Sequence, residues 1–369
     1  MRALPRFRAF KHRLLASPRF QRAAAAFWPT RWIARRSARR LFDLIGGFVA
    51  SQVLAAVLEL DLLQRVQRGA VSVEQLARDS EIAIDRFRVL IDAARVVGLL
   101  DVDDDDTVSL GELGAMLIGN PSLPEMIRHH AVFYRDLADP VALLRQPERD
   151  TELGKFWPYA AGGPDNDFDV GAADDYTALM AATQPMVSDE ILRSFNFRRV
   201  RHVMDVGGGN GAFLRALNAK HPRLSLSLVD LPPVCSLARQ AFDDAGLIDA
   251  VRLCPADFLR DALPRGADMI TLVRIVHDHD DDAIRALFAR IHAALPDEGR
   301  LLIAEPMLAT PSAPMFGGVY FSLYLLAMGS GRPRRPDEIV EMLTNTGFRD
   351  CEWRRTAVPM VAQVLVASK

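Results

Sequence analysis

The chain has little cysteine: three residues in 369, at Cys235, Cys254 and Cys351. Their odd number and scattered positions exclude a disulfide framework or a cysteine-built metal site and imply a reducing compartment. Long apolar runs are also scarce. Leu44 to Leu58 comes nearest, yet it contains Ser51 and Gln52, is flanked by Asp43 and Glu59, and falls short of the roughly 20 apolar residues that span a bilayer. It reads as a buried helix. The basic start of the chain is not followed by an apolar region and a small-residue cleavage site, so no secretory signal is expected. Acidic residues are missing from positions 1 to 40, which hold twelve Arg and Lys, although the whole chain carries 47 acids and a net charge of -2. With Phe27, Trp28 and Trp32 interleaved, that arm has the composition of a peripheral membrane-surface segment. A solvated or packed arm is the alternative. The expected location is cytoplasmic, with contact at the inner membrane.

Glycine is concentrated where chemistry is expected. Val203 to Leu217 reads VMDVGGGNGAFLRAL: a short apolar run, four glycines within five positions, then helix formers. Strand, tight turn and helix place free N–H groups and a partial positive charge over the loop, as a nucleotide-type cofactor requires. Gly207, Gly209 and Ala212 also satisfy the dinucleotide pattern, which alone is weak. Asp230 ends the next apolar run about 20 residues on, where a carboxylate can accept ribose hydroxyls. Asp205 decides between cofactors. Two residues before the first glycine, it suits a cationic amino-acid tail and would repel a pyrophosphate, which favours a methyl donor over NAD.

Before the loop, residues 41 to 63 carry apolar side chains on most helical faces and suggest an oligomer interface. Two short amphipathic helices follow, around Leu76 and Ile91, then a hairpin with the acidic tip Asp103 to Asp106. Helix, turn, helix, hairpin is a winged-helix order, which can bind DNA. The acidic tip would repel phosphate, so a dimerisation module without nucleic acid is expected. Acids at Asp101, Asp103, Asp105 and Glu112 imitate a calcium loop, but its required glycine is replaced by Asp106.

Residues 125 to 195 read as helices joined by a loop at 162–171. Phe133, Trp157, Tyr176 and Met180 are candidates to line an apolar substrate pocket, against the plainer reading of core. Beyond the loop, strands alternate with helices, which predicts a parallel doubly wound sheet. Gly207, Asp230, Asp257, His277 and Glu305 all fall at strand ends, where such sheets bind ligands. His277 is a general-base candidate, with Glu305 to orient it and stabilise its charged form. The adjacent His277, Asp278, His279 and Asp280 rarely converge on one ion, and no metal is expected.

The motifs VMDVGGGNG, LVDLPPV, ADFL, VRIVHDHDDD, GRLLIAEPM and VPMVAQVLVASK resemble the caffeate-type class of S-adenosylmethionine-dependent O-methyltransferases, across roughly residues 41 to 369. The resemblance implies a homodimer formed through the winged helix, His277 as base with Glu305 beside it, and no metal. It also implies a cofactor site of Asp205, Gly207, Gly208, Gly209, Asp230, Leu231, Asp257, Phe258 and Arg274. The expected fold is α/β, a Rossmann-like methyltransferase sheet with an N-terminal helical, winged-helix dimerisation domain. Its expected parts are a basic arm at 1–40, the dimerisation domain at 41–120 and the methyltransferase domain at 121–369, helical to 195 and Rossmann-like from 196.

Two departures bear on the substrate. Val273 stands where the class has Lys or Arg, and Pro333, in GRPRRP, replaces a second glutamate of the class. The segments HHAVFYRDLADPVALLR, KFWPYA and AMGSGRPRRP are similar to purple-bacterial members that methylate the tertiary hydroxyl of acyclic carotenoids such as demethylspheroidene and hydroxyneurosporene. A hydrophobic small molecule is therefore the expected substrate. A phenolic or polyketide acceptor, or carbon methylation as in a bacteriochlorophyll methyltransferase, is the alternative.

Overall fold

The computed structural model describes residues 3–120, 122–145, 150–156, 183–308 and 315–369. The chain divides into two compact units, Met1–Asn120 and Pro121–Lys369.

The first unit begins with α1 (Ala3–Leu15), α2 (Pro18–Ala26) and α3 (Trp28–Glu59). Ser17 caps α2 by accepting the Phe20 N–H, and Pro18 sits at the first helical position, where it loses no hydrogen bond. The boundary expected at residue 40 falls inside α3, a helix of 32 residues. The expected burial of residues 44 to 58 is overturned: within α3 only Val57 and Leu58 are buried, while Phe42, Leu44, Ile45 and Phe48 are 58–72% exposed. The cause is local. α3 packs on α2 at its start and on α4 (Leu62–Gln67) and α6 (Ile84–Val97) toward its C-terminal end, with the apolar residues from Leu41 to Val49 exposed between. By length and composition α3 could also cross a membrane.

The expected module follows. β1 (Val71–Ser72), α5 (Val73–Asp79), α6, β2 (Leu100–Val102) and β3 (Thr107–Leu110) form a helix pair with an antiparallel three-stranded wing, ordered β1-β3-β2, and α7 (Glu112–Ile118) closes the unit. Gly98 ends α6 in the left-handed conformation at φ 84°, which a side chain would strain. Leu63, Leu76, Phe87, Ile91, Leu100 and Val108 form its core. At the acidic tip, Asp106 is held by Arg88, whose guanidinium keeps the carboxyl below its usual range.

In the second unit, helices α8 (Ser122–Asp136), α9 (Pro140–Arg145), α10 (Glu152–Phe156) and α11 (residues 183–194) precede the sheet. Its strands are β4 (His202–Val206), β5 (Ser225–Asp230), β6 (Val251–Pro255), β7 (Met269–Val273), β8 (Arg300–Glu305), β9 (Arg349–Arg354) and β10 (Gln363–Ser368), in the order β6-β5-β4-β7-β8-β10-β9. β4 has β5 on one side and β7 on the other, so the strand order reverses beside it. Helices α12 (Ala212–Lys220) and α13 (Pro232–Asp244) cover one face, and α14 (Asp281–Ala294) and α16 (Pro336–Thr346) the other. The period of two decides the sides: Val203 packs into the first core, Met204 and Val206 into the second.

Six strands share one direction as expected, and one, β10, is reversed. β10 runs antiparallel to both β8 and β9. Residues 355–362 between β9 and β10 are too few for the crossover a parallel pair needs. A last helix, α15 (Phe321–Met328), preceded by a π turn at Phe316–Tyr320, packs with α8, α9 and α10 in a separate aromatic core.

Candidate active site

The glycine loop leaves the carboxyl end of β4 at the reversal of strand order. A Cβ at Gly211 would overlap the Phe242 ring, so glycine there lets α12 approach α13. Gly209, at φ 57°, faces open space, and its N–H donates to Asp230 Oδ2 at 2.9 Å. The other Asp230 oxygen accepts the Leu231 N–H at 2.8 Å, at the start of α13. Burial pushes the Asp230 carboxyl up to about 6 against those two hydrogen bonds.

Asp205 lies beneath the loop and is 1% exposed. Its Oδ1 accepts the Thr271 hydroxyl at 2.6 Å, while Oδ2 has no hydrogen-bond partner among the described residues. A Cβ at Gly208 would stand 2.7 Å from that unpaired oxygen. Burial, opposed by the Thr271 hydroxyl and aided by the Asp230 charge, raises the carboxyl to about 7. An orphaned acceptor beneath a bare loop fits a ligand that brings a cationic or N–H donor group.

β7 stops at Val273, because Arg274 turns the chain at φ 60°. Such a conformation is costly for a side chain and persists only where the surroundings enforce it. Arg274 Nη1 donates to Thr183 Oγ1 at 2.8 Å. The next turn is a short 3-10 helix, Val276–Asp278, which puts His277 in a buried position. Glu305, at the end of β8, accepts the Ile275 and Val276 N–H groups through Oε1 at 2.8 and 2.7 Å and meets His277 Nδ1 through Oε2. His277 Nε2 lies 3.1 Å from Asp278 Oδ1. Burial is the largest influence and lowers the imidazole, but the Asp278 and Glu305 carboxylates together prevail and raise it above its ordinary value. Burial also raises Asp278.

Asp257 and Phe258 follow β6. Asp257 accepts the Leu259 N–H at 3.0 Å and lies 3.4 Å from Arg260, and so shapes its own turn. Phe258 is buried and packs edge-on to the His279 ring at 5.8 Å. It borders Gly207, whose added Cβ would lie 3.4 Å from its ring.

Against the His277 side lies an aromatic layer. The Phe321 ring stands edge-on to His277 at 5.7 Å and to Tyr320 at 5.1 Å. Tyr320 and Tyr324 share hydrogen bonds of 3.0 and 2.7 Å with His130 and His129 of α8. Phe133, the pocket candidate, is 5% exposed and contacts both tyrosine rings. Trp157, Tyr176 and Met180, the other candidates, lie outside the described residues.

Several participants had escaped the sequence reading. Thr271, a lone hydroxyl in the run Met269–Val273, was a usable signal for a buried partner of Asp205. Arg334 was less visible: 1% exposed, it reaches back to the His277 turn from GRPRRP, a segment noted only for its missing glutamate. Tyr320 and Phe321 carried no pattern separating them from core.

A glycine loop at a strand-order reversal, with a His–Glu pair on the neighbouring strand ends, defines a Rossmann-like cofactor-dependent enzyme domain joined to a winged-helix module. Residues 134–349 match the model of the O-methyltransferase domain, and residues 42–120 that of the O-methyltransferase dimerisation domain. The chain belongs to the O-methyltransferase family. It is 42% identical to demethylspheroidene O-methyltransferase of Rhodobacter capsulatus over 337 residues, covering 91% of this chain and 84% of that protein. To the enzyme of the same name from Cereibacter sphaeroides it is 40% identical over 356 residues, 96% of this chain and 93% of that one. Human N-acetylserotonin methyltransferase in complex with SAM shares the fold, with a TM-score of 0.74 at 23% identity over 90% of this chain and 97% of that one.

Proposed function

We propose that this O-methyltransferase uses S-adenosylmethionine to methylate the tertiary hydroxyl of an acyclic carotenoid. The observation that carries the substrate is the 40–42% identity to two demethylspheroidene O-methyltransferases over nearly the whole chain. The aromatic layer supports it. His129 and His130 are lowered to about 4, chiefly by burial, so they are neutral at pH 7 and bonded to Tyr324 and Tyr320. A wall with its polar groups bonded internally suits a polyene, which offers no hydrogen-bond partner of its own.

S-adenosylmethionine supplies, when bound, an electrophilic methyl group on a sulfonium. Gly207, Gly208 and Gly209 expose backbone to it, Asp205 answers the charge of its amino-acid end, Asp230 and Leu231 flank its ribose, and Asp257 and Phe258 its adenine. Arg274, bonded to Thr183, borders this site. An unactivated alcohol has a pKa near that of water, far above a histidine's, so a histidine cannot ionise it beforehand. His277 instead takes the hydroxyl proton as the oxygen attacks. Its resulting charge is stabilised by Glu305 and Asp278, and the acceleration comes mainly from holding the hydroxyl in line.

Two surfaces of the first unit complete the reading. The exposed apolar face of α3 from Leu41 to Val49 lies at the start of the matched dimerisation segment and is proposed to pair with a second copy. The basic helices ahead of it, with Phe7, Phe10, Trp28 and Trp32 exposed, are proposed to rest on an anionic membrane surface at the cytoplasmic side, where an apolar substrate dissolves. Nucleic acid is not a proposed partner.

Isothermal titration with S-adenosylhomocysteine and with NADH tests the cofactor: the first binds and the second does not. Methyl transfer from labelled donor to hydroxylated acyclic carotenoids, compared with phenols, tests the substrate. Activity on phenols alone would remove the carotenoid assignment and leave the mechanism standing.

A further inference from the structure

The segment Ser330–Arg334 closes on the turn that carries His277. Arg334 is the largest fully buried side chain among the described residues, at 1% exposure. Its Nη1 donates to the Val276 carbonyl, its Nη2 to the His279 carbonyl at 2.8 Å, and Nε and Nη2 both to Asp281 Oδ1, at 3.0 and 2.7 Å. Ser330 Oγ donates to the Asp278 carbonyl at 2.8 Å, and the Gly331 N–H to Asp280 Oδ1 at 3.1 Å. A Cβ at Gly331 would overlap the His277 carbonyl itself. Arg332 ties Asp281 from outside, with Nη2 at 3.0 Å from Oδ2. Every residue from Val276 to Asp281 is thus bonded to this segment or pressed against it.

We propose that Arg334, with Ser330 and Gly331, is a positioning residue that fixes the His277 turn for catalysis. This rests on the reading of His277 as the base. The physical reasons are two. The turn follows Arg274 in a left-handed conformation, so its backbone carries strain that outside contacts must hold. Its carbonyls at 276, 278 and 279 have no sheet to pair with, and a buried carbonyl left without a partner is costly. A planar guanidinium reaches two carbonyls and a carboxylate at once, whereas a lysine ammonium on its stem cannot reproduce that fork.

The test compares Arg334→Lys and Ser330→Ala with wild type and His277→Ala. Turnover and KM for the carotenoid alcohol are measured with S-adenosylhomocysteine affinity, circular dichroism and the far-downfield imidazole N–H proton resonance. That resonance reports the hydrogen bond from His277 Nδ1 to Glu305 and is assigned by its loss in His277→Ala. Arg334→Lys should lower kcat about 10²-fold, as roughly 1 Å of misplacement does, with KM and S-adenosylhomocysteine affinity near wild type and the resonance lost. Ser330→Ala should change both readouts in the same direction and less. A folded Arg334→Lys protein with wild-type kcat and an intact resonance overturns the proposal. Should Arg334→Lys fail to fold, an unchanged kcat and resonance in Ser330→Ala overturns it. If His277→Ala retains full turnover, the base assignment falls instead, while the resonance still reports whether Arg334 holds the turn.

Discussion

Glu305 grips His277 from two directions: one carboxylate oxygen meets Nδ1 of its ring, and the other accepts the N–H groups of the two residues before it, at 2.8 and 2.7 Å. Ring and backbone are fixed by one side chain, so rotation of the imidazole requires breaking charge-assisted bonds in a buried site. If His277 is the base, His277→Ala should lower turnover by about 10² to 10⁴, the usual contribution of a positioned general base. Affinity for S-adenosylhomocysteine should stay near wild type. Glu305→Gln keeps an acceptor for the two N–H groups but puts a donor-only amide nitrogen against His277 Nδ1, so it loses both the charge and the acceptor that orients the ring; the base itself remains, and a smaller loss than in His277→Ala is expected. Steady-state kinetics with titration calorimetry decides this, and equal losses in both variants would contradict the division of roles.

Asp205 supplies a pH signature. Its carboxyl rises from the ordinary 3.8 to about 7, mainly through burial. A carboxyl raised in the folded state contributes stability that is complete below about 3.8 and is lost as pH rises through about 7. The melting temperature of the ligand-free enzyme should therefore fall, relative to Asp205→Asn, between pH 4 and pH 7. Affinity for S-adenosylhomocysteine should show the opposite trend, because the ionised Asp205 attracts its ammonium group. It should strengthen through pH 7 in wild type and stay flat in Asp205→Asn. Parallel melting curves for the two proteins across this range would show that Asp205 does not titrate there.

The parts of the site that the sequence revealed were local ones. A glycine cluster after an apolar run specifies strand, turn and helix within fifteen residues, and each strand-end residue is marked by the run it terminates. Contacts made across the fold left no such mark: Arg334 and Val276 are 58 positions apart. The same limit applies to the sheet, whose alternating pattern does not say that β10 inserts between β8 and β9 in reverse. α3 shows a third kind of silence. Apolar residues on several helical faces call for cover, yet composition does not separate a core from a surface awaiting a partner.

The two histidines of α8 predict acid sensitivity in the aromatic layer. Burial lowers both His129 and His130 to about 4, and the His130 charge adds to the effect on His129. The unfolded chain takes up these protons near pH 6.5 while the folded one resists until about 4, so stability is lost as pH falls through that window. Unfolding midpoints in denaturant should drop between pH 6.5 and pH 4, and the double variant His129→Gln and His130→Gln should flatten the drop. The KM for the carotenoid should rise in the variant, since the histidine bonds to Tyr320 and Tyr324 are lost, with S-adenosylhomocysteine affinity unaffected. An unchanged KM would separate this layer from the substrate.

The basic helices at the start of the chain make a prediction about place. α1 and α2 have no acid in their first turns, and positions 1 to 40 hold twelve Arg and Lys and no acid, with Arg39 reaching Asp43 at 3.9 Å. Each basic residue near an anionic surface is worth about 1 kcal/mol, and Trp28 and Trp32, 78% and 63% exposed, have the amphipathic rings that settle at such an interface. Full-length protein should sediment with anionic liposomes at low salt and be released as ionic strength rises, because screening shortens the reach of the charges. Removing residues 1–27, replacing Trp28 and Trp32 with serine and replacing Arg31, Arg35, Arg36, Arg39 and Arg40 with glutamine should abolish sedimentation while preserving α3 beyond them. Turnover on a water-soluble acceptor should be unchanged by that variant, and turnover on carotenoid in vesicles should fall. Full-length protein that stays in the supernatant at low salt would show that the charges serve something other than a membrane. Sedimentation that persists without these groups, or that ignores salt, would move the contact to the apolar face from Leu41 to Val49, where burial rather than charge would hold it.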